Sequence, residues 1–191
     1  GVSSEFKTDG LRHSPGYSYL FYVGSRRPQK NLPRLFRAFS QAKISPEIRL
    51  LLSGHSDPEV IEQITQLGLR ERVVFAGSIQ DEDLPAYYRG ALALVFPSLY
   101  EGFGLPPLES MACGTPVLTS NVTSMPEVVG NAAVLIDPFD VEAIAYGIEQ
   151  IVEDRTLRNQ LQTRGLEQAK KFTWERTADL TLQILEQAIE R

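Results

Sequence analysis

Apolar residues along this chain fall into short unbroken runs separated by stretches with helical spacing, and that alternation predicts the architecture. Residues 19–23 (Tyr-Leu-Phe-Tyr-Val) are apolar throughout and stop at Gly24-Ser25, as a strand buried on both faces does where it leaves a sheet. After Asn31 the pattern changes. Leu32, Leu35, Phe36 and Phe39 recur at i, i+3, i+4 and i+7, which is one face of a helix. Asn31 is expected to be its N-cap, and Pro33 fits the first turn, where no intrahelical amide bond is lost.

The same pair of elements repeats along the chain. Strands are predicted over 48–52, 73–76, 93–96, 117–119 and 133–136, and helices over about 58–67, 81–89, 105–113 and 125–129. Beyond Asp137 only helical spacing remains. Val141, Ile144, Ala145, Ile148, Ile151 and Val152 mark a helix capped by Asp140; a second spans about 155–171; a third follows Thr173, with Trp174, Leu182, Leu185 and Ile189 as its core stripe. Two-sided apolar strands alternating with helices predict the α/β class: a Rossmann-like three-layer domain with a parallel sheet of about six strands and helices on both faces. No repeat, low-complexity tract or linker interrupts the pattern, so one domain over 1–191 is expected.

Composition narrows the function. At 191 residues the chain can bury roughly 70% of its unfolded surface and needs no staples. Its one cysteine, Cys113, allows no internal disulfide and reads as a small buried hydrophobe. No apolar run approaches the roughly 20 residues that cross a bilayer, and the start is not signal-like. Nineteen Lys+Arg against 24 Asp+Glu, a net charge of -5, argue against the broad basic surface of a nucleic-acid binder. Any polyanion site must therefore be local. One basic cluster, Arg26, Arg27, Lys30, Arg34 and Arg37, follows the first strand.

Open α/β sheets bind ligands beyond the carboxyl ends of their strands, and three such loops carry suggestive chemistry. The first, Gly24-Ser25-Arg26-Arg27-Pro28-Gln29-Lys30-Asn31, offers the cations a diphosphate needs. The second, from Glu101 to Glu109, sets two carboxylates around a glycine-broken loop. Gly102 and Gly104 lack a Cβ, so the amides of Phe103, Gly104 and Leu105 can approach an anion or hydroxyl at a helix N-terminus. A carboxylate with two acceptor oxygens suits neighbouring hydroxyls of a sugar or ribose. The same acids also fit a helix start favoured by the dipole, or the acid and nucleophile of a glycoside hydrolase. The third loop, Ser78, Ile79 and Gln80, is expected near a nucleobase, with Leu84 or Tyr88 packing beside it. Tyr87 and Tyr88 are adjacent and point to different faces, so at least one is packing. His55 reads as a turn residue and His13 as linker. No His/Cys cluster is present, so neither a metal nor another cofactor is expected.

The spacing Glu101-x7-Glu109 resembles the motif of family 4 of the retaining glycosyltransferases, enzymes built from two facing Rossmann-like domains, the GT-B architecture. The resemblance runs from Gly1-Val2 through the segment Gly24 to Asn31, Phe96-Pro97-Ser98, Pro126-Glu127-Val128-Val129-Gly130 and Asp137-Pro138 to Phe172-Thr173-Trp174. It implies the C-terminal, donor-binding half of such an enzyme, with the N-terminal acceptor domain absent from this chain. The implied reaction is transfer of a sugar, with retention, from a nucleotide-diphosphate donor to a glycan or lipid-linked acceptor in polysaccharide or lipopolysaccharide assembly. Ser98-Leu99-Tyr100 and Thr119-Ser120-Asn121 resemble members that use mannose donors, which leans toward GDP-mannose. By the same resemblance Lys30 and a neighbouring arginine, Arg26 or Arg27, hold the donor phosphates beside Gly24. Glu101 faces the transferred sugar, Glu109 holds the ribose hydroxyls, and the final helix crosses back to the other domain. Cytoplasmic residence is implied, with a membrane-linked acceptor able to draw the whole enzyme to the inner leaflet. A nucleotide-sugar-binding module without transfer, or an epimerase or hydrolase on the same architecture, are the other classes that fit.

Overall fold

A computed structural model describes residues 1–189; the last two positions of the expected 1–191 domain lie outside the described residues. Six strands, β1 (Tyr19–Tyr22), β2 (Arg49–Leu52), β3 (Val73–Phe75), β4 (Ala93–Phe96), β5 (Val117–Ser120) and β6 (Val134–Ile136), form one sheet in the order β3-β2-β1-β4-β5-β6. Every pairing is parallel, with Leu20 opposite both Leu50 and Ala93. The predicted Rossmann-like sheet is therefore present.

The continuous apolar runs are explained by two cores. Leu20, Tyr22, Leu50, Leu52 and Val95 face one layer, while Tyr19, Phe21, Leu51, Leu94 and Phe96 face the other, the period-two alternation of strands covered on both sides. Helices α1 (Leu32–Gln41), α2 (Pro58–Gln66) and α6 (Val141–Glu153) contribute Phe36, Ile64 and Ile148 to the first layer. Helices α3 (Leu84–Gly90), α4 (Leu105–Ala112) and α5 (Met125–Val129) contribute Tyr88, Met111 and Val128 to the second, with α7 (Arg155–Ala169) behind α4. The neighbouring strands β1 and β4 thus send the chain to opposite faces. Their diverging loops open a crevice at the carboxyl edge of the sheet, the topological switch point of a doubly wound fold.

Several helix starts follow their caps. Asp57 accepts from the amide of Val60, Asp140 from those of Glu142 and Ala143, and Asp154 from that of Leu157. Helix α3 begins at Leu84 rather than near Asp81, consistent with Pro85 taking the first turn. Asn31 differs from expectation. It sits at the helix start in the left-handed region, φ 62, makes no side-chain cap bond, and sends its amide to the carbonyls of Pro97 (2.9 Å) and Pro138 (2.7 Å). Those two carbonyls leave the sheet after β4 and β6, so Asn31, only 2% exposed, fastens three loops of the carboxyl edge together.

The last helix is exposed along its whole length, further than the partial exposure implied by a helix that crosses back to another domain. Helix α8 (Trp174–Ile189) buries none of its side chains, and Trp174 and Ile189 are 57% and 84% exposed. The two layers of the sheet are already filled by α1 to α7, so helical periodicity in this segment marks an apolar face that the other described residues do not cover.

Candidate functional site

At the switch point the loop after β1 and the loop after β4 are stitched by backbone as well as by Asn31, because the amide of Leu99 donates to the carbonyl of Gln29 at 2.7 Å. This brings the two predicted charges together. Lys30 Nζ lies 2.6 Å from Glu101 Oε1, with both side chains about five-sixths buried (16% and 15% exposed). The ammonium also sits 4.8 Å from the centre of the Phe96 ring, a cation–π contact on the floor of the crevice. Gly24 holds the turn open: its φ is 147, its amide donates to Ser53 Oγ at 3.2 Å, and an added Cβ would press on the Tyr22 hydroxyl at 3.3 Å.

The two arginines separate. Arg26 is folded inward, its Nη2 donating to the carbonyl of Ser53 at 2.6 Å and its guanidinium about 6 Å from the rings of Tyr22 and Phe75, while its buried Nη1 has no partner among the described residues. Arg27 is exposed at the start of the single turn Pro28–Lys30. Beside this turn, Arg26, Arg27 and Arg34 share a cleft of about 450 Å³ with Asp57 and Glu59 at the start of α2.

The glycine loop is braced from β5. Ser124 Oγ donates to the carbonyls of Glu101 (3.1 Å) and Phe103 (2.9 Å), and the amide of Glu101 donates to Thr123 Oγ1 at 3.3 Å. Gly102 has open space around it, whereas Gly104, at φ 104, is packed so closely that a Cβ would overlap the Met125 methyl. Phe103 stands edge-on to Phe172 at 5.9 Å, and Leu105 opens α4 with its side chain exposed. Sequence reasoning missed Thr123 and Ser124. Nothing in the sequence marks them: what sets Thr123 apart, a φ of 56 at a non-glycine residue, is visible only in the structure.

One turn into α4, Glu109 is reached by Tyr88 of α3, whose hydroxyl donates to Oε2 at 2.7 Å. Leu84 or Tyr88 is expected beside a base, and Tyr88 does not fit that place. It is instead fully buried, so it supports Glu109 from beneath and presents no surface to a ligand. Burial raises the Glu109 carboxyl above its ordinary range; the Tyr88 bond opposes that shift and the nearby Asp81 adds to it. Asp81 directly follows Ser78, Ile79 and Gln80, which places that third loop beside Glu109. Ser78 and Gln80 are exposed, Ile79 packs on the second core, and Ser78 Oγ meets His55 Nε2 at 3.3 Å, tying the loops after β2 and β3. His13 is not idle linker: it stacks on Tyr87 with ring centres 4.0 Å apart. Cys113 is buried, its thiol pushed up to about 12 chiefly by burial, as a packing residue should be. Among the described residues no group of three or more His, Cys, Asp or Glu side chains could hold a metal, and no helix is long and apolar enough to cross a membrane.

Six parallel strands in this order, with a cation and two carboxylates gathered around the carboxyl edge, define a doubly wound α/β domain with a charged rim at its switch point. The chain belongs to the glycosyl transferases group 1 family, whose profile matches residues 3–168. It is 44% identical over 169 residues to the O-antigen chain mannosyltransferase B of Escherichia coli, a match covering 86% of this chain and 44% of that protein. The chain thus spans less than half the length of that relative. Among solved structures it is similar to sucrose-phosphate synthase from Thermosynechococcus elongatus, with a TM-score of 0.81, 33% identity, and coverage of 92% of this chain and 46% of that one. It also superimposes on the C-terminal domain of a group 1 family glycosyl transferase from Francisella tularensis, with a TM-score of 0.78, 25% identity, and coverage of 90% and 97%.

Proposed function

We propose that this chain is the C-terminal, donor-binding half of a retaining glycosyltransferase of family 4, and that it binds a nucleoside-diphosphate sugar, GDP-mannose, for transfer to a glycan or lipid-linked acceptor in polysaccharide or lipopolysaccharide assembly. The observation that carries the reading is the Lys30–Glu101 pair at the β1/β4 switch point, where a cation and a carboxylate stand at the place such sheets bind ligands. The mannosyltransferase relative supports the sugar, and the superposition on a C-terminal domain supports the half.

In this reading the bond from the anomeric carbon to the diphosphate breaks, and negative charge gathers on the departing phosphate oxygens. Lys30 meets that charge, helped by Arg27 or by Arg26 if its guanidinium swings out. Each charge-assisted contact contributes about 1.5 to 3 kcal/mol. The acceptor hydroxyl attacks from the face the diphosphate leaves, and its proton passes to a phosphate oxygen. Glu101, released from Lys30, accepts from hydroxyls of the transferred sugar; the amides at the start of α4 meet the donor, and Glu109 takes the ribose hydroxyls. The acceptor is held by an N-terminal domain. The setting is the cytoplasm, at the inner face of a membrane when the acceptor is lipid-linked.

A thermal-shift panel of GDP, UDP, ADP and CDP tests the donor assignment. A nucleotide at 100 times its Kd stabilises by about 2.7 kcal/mol, and GDP alone is expected to do so. Stabilisation by UDP in its place would remove the mannose donor, and silence from all four would remove the nucleotide site.

A further inference from the structure

We propose that Tyr88 is a positioning residue for nucleotide binding: its phenol pins one oxygen of the Glu109 carboxylate and so presents the other to the ribose hydroxyls of the donor. The inference rests on the reading of Glu109 as the ribose-binding group and adds to it the reason that carboxylate can hold a diol well.

A glutamate is poorly suited to precise work unless something holds it. Its terminal torsion is broad and two-fold, so a free carboxylate rotates through many orientations before a ligand arrives, and that freedom is lost on binding. Here the torsion has a fixed reference. The Tyr88 hydroxyl donates to Glu109 Oε2 at 2.7 Å, within the range of a strong bond to a charged acceptor. Tyr88 itself cannot move. Its side chain is 0% exposed, and its ring is held edge-on by Phe21 (5.4 Å, 81°) and Phe6 (6.0 Å, 63°). Its carbonyl accepts from Thr115 Oγ1 at 2.7 Å and from the amide of Ala91 at 3.0 Å. A rigid donor on one oxygen of a partly buried acceptor restricts the carboxylate torsion and leaves Oε1 and the remaining lone pair of Oε2 for a ligand. The phenol touches no ligand, so it acts only through Glu109.

A purely structural tyrosine would also satisfy this carboxylate, and selectivity for ribose separates the two roles. The affinities of the chain for GDP and for 2′-deoxy-GDP are measured by calorimetry in wild type, Tyr88→Phe, Glu109→Gln and the double variant. Wild type is expected to prefer GDP by about tenfold, or 1.4 kcal/mol. Tyr88→Phe is expected to lose most of that preference by weakening GDP alone, and the double variant to be no worse than Glu109→Gln. Retained preference in Tyr88→Phe, or a double variant as weak as the two single losses summed, overturns the inference while leaving the ribose reading intact. Wild type that binds both nucleotides equally, or neither, overturns the ribose reading and the inference with it. Should Tyr88→Phe fail to fold, 3-fluorotyrosine placed at position 88 gives the answer by fluorine resonance. With both nucleotides at saturation, the signal is expected to shift more with GDP than with 2′-deoxy-GDP; equal response to both overturns the proposal.

Discussion

Lys30 Nζ and Glu101 Oε1 form a 2.6 Å ion pair across the crevice between β1 and β4, so the cation best placed for a diphosphate is already engaged by the chain's own carboxylate. In the proposed function a donor exchanges that partner for its phosphates. Glu101→Gln removes the competing charge while keeping the shape, and GDP is expected to bind about three- to tenfold more tightly, or roughly 0.7 to 1.4 kcal/mol. Calorimetry reads this directly, and unchanged or weaker binding would show that the pair does not compete with the ligand.

Asn31 shows what a buried polar side chain does for this rim. Its amide serves the carbonyls of Pro97 and Pro138, in loops 66 and 107 residues away. Asn31→Ala strands both carbonyls and places a Cβ-bearing residue without a short polar side chain at φ 62. An expected loss of about 2 to 4 kcal/mol follows from two unsatisfied buried acceptors. Urea denaturation checks it, and a loss below about 1 kcal/mol would mean that water replaces the amide.

How much of this was legible in the sequence depended on the range of the interaction. Strand β4 and helix α5 lie at the residues expected, Ala93–Phe96 and Met125–Val129, because unbroken apolar runs and helical spacing are local signals. The signs of the site residues were legible too, since glycines, cations and acids cluster where strands end. Their partners were not. Asn31 looked like a cap because caps are read from neighbours, and its true partners lie far along the chain. Tyr88 looked like a ligand contact because its distance from Glu109, 21 residues, carries no periodic mark. Helix α8 showed the reverse failure: its stripe was read correctly, but periodicity does not say what covers a face.

Glu109 gives the rim a pH dependence. Its carboxyl is raised from the ordinary 4.5 by burial first, with Tyr88 opposing and Asp81 adding, and Cys113 at the end of α4 also lies within its field. The folded state therefore holds its proton to higher pH than the unfolded chain does. The contribution of Glu109 to stability is full below 4.5 and is lost as pH rises through the raised value, and Glu109→Gln removes that component of the curve. Thermal melts from pH 4 upward compare the two; identical slopes would show that Glu109 titrates like a solvated carboxyl. GDP affinity moves the other way, declining as pH falls through the raised value. The difference between wild type and Glu109→Gln isolates this from the ligand's own phosphate titration near pH 6.

Gly104 tests the glycine loop. With φ 104 and the Met125 methyl against the place a Cβ would occupy, Gly104→Ala is expected to cost about 1 to 3 kcal/mol and to displace the amides at the start of α4. Denaturation midpoints and GDP affinity should fall together. A stable variant with unchanged affinity would show that the left-handed turn is not needed to present those amides.

Calorimetric titration of GDP into the wild-type chain and Lys30→Ala decides whether Lys30 holds the donor's diphosphate. Lys30→Ala is expected to lose about ten- to 150-fold in affinity, the worth of one charge-assisted contact of roughly 1.5 to 3 kcal/mol. An affinity within about threefold of wild type, or under roughly 0.7 kcal/mol, would contradict it.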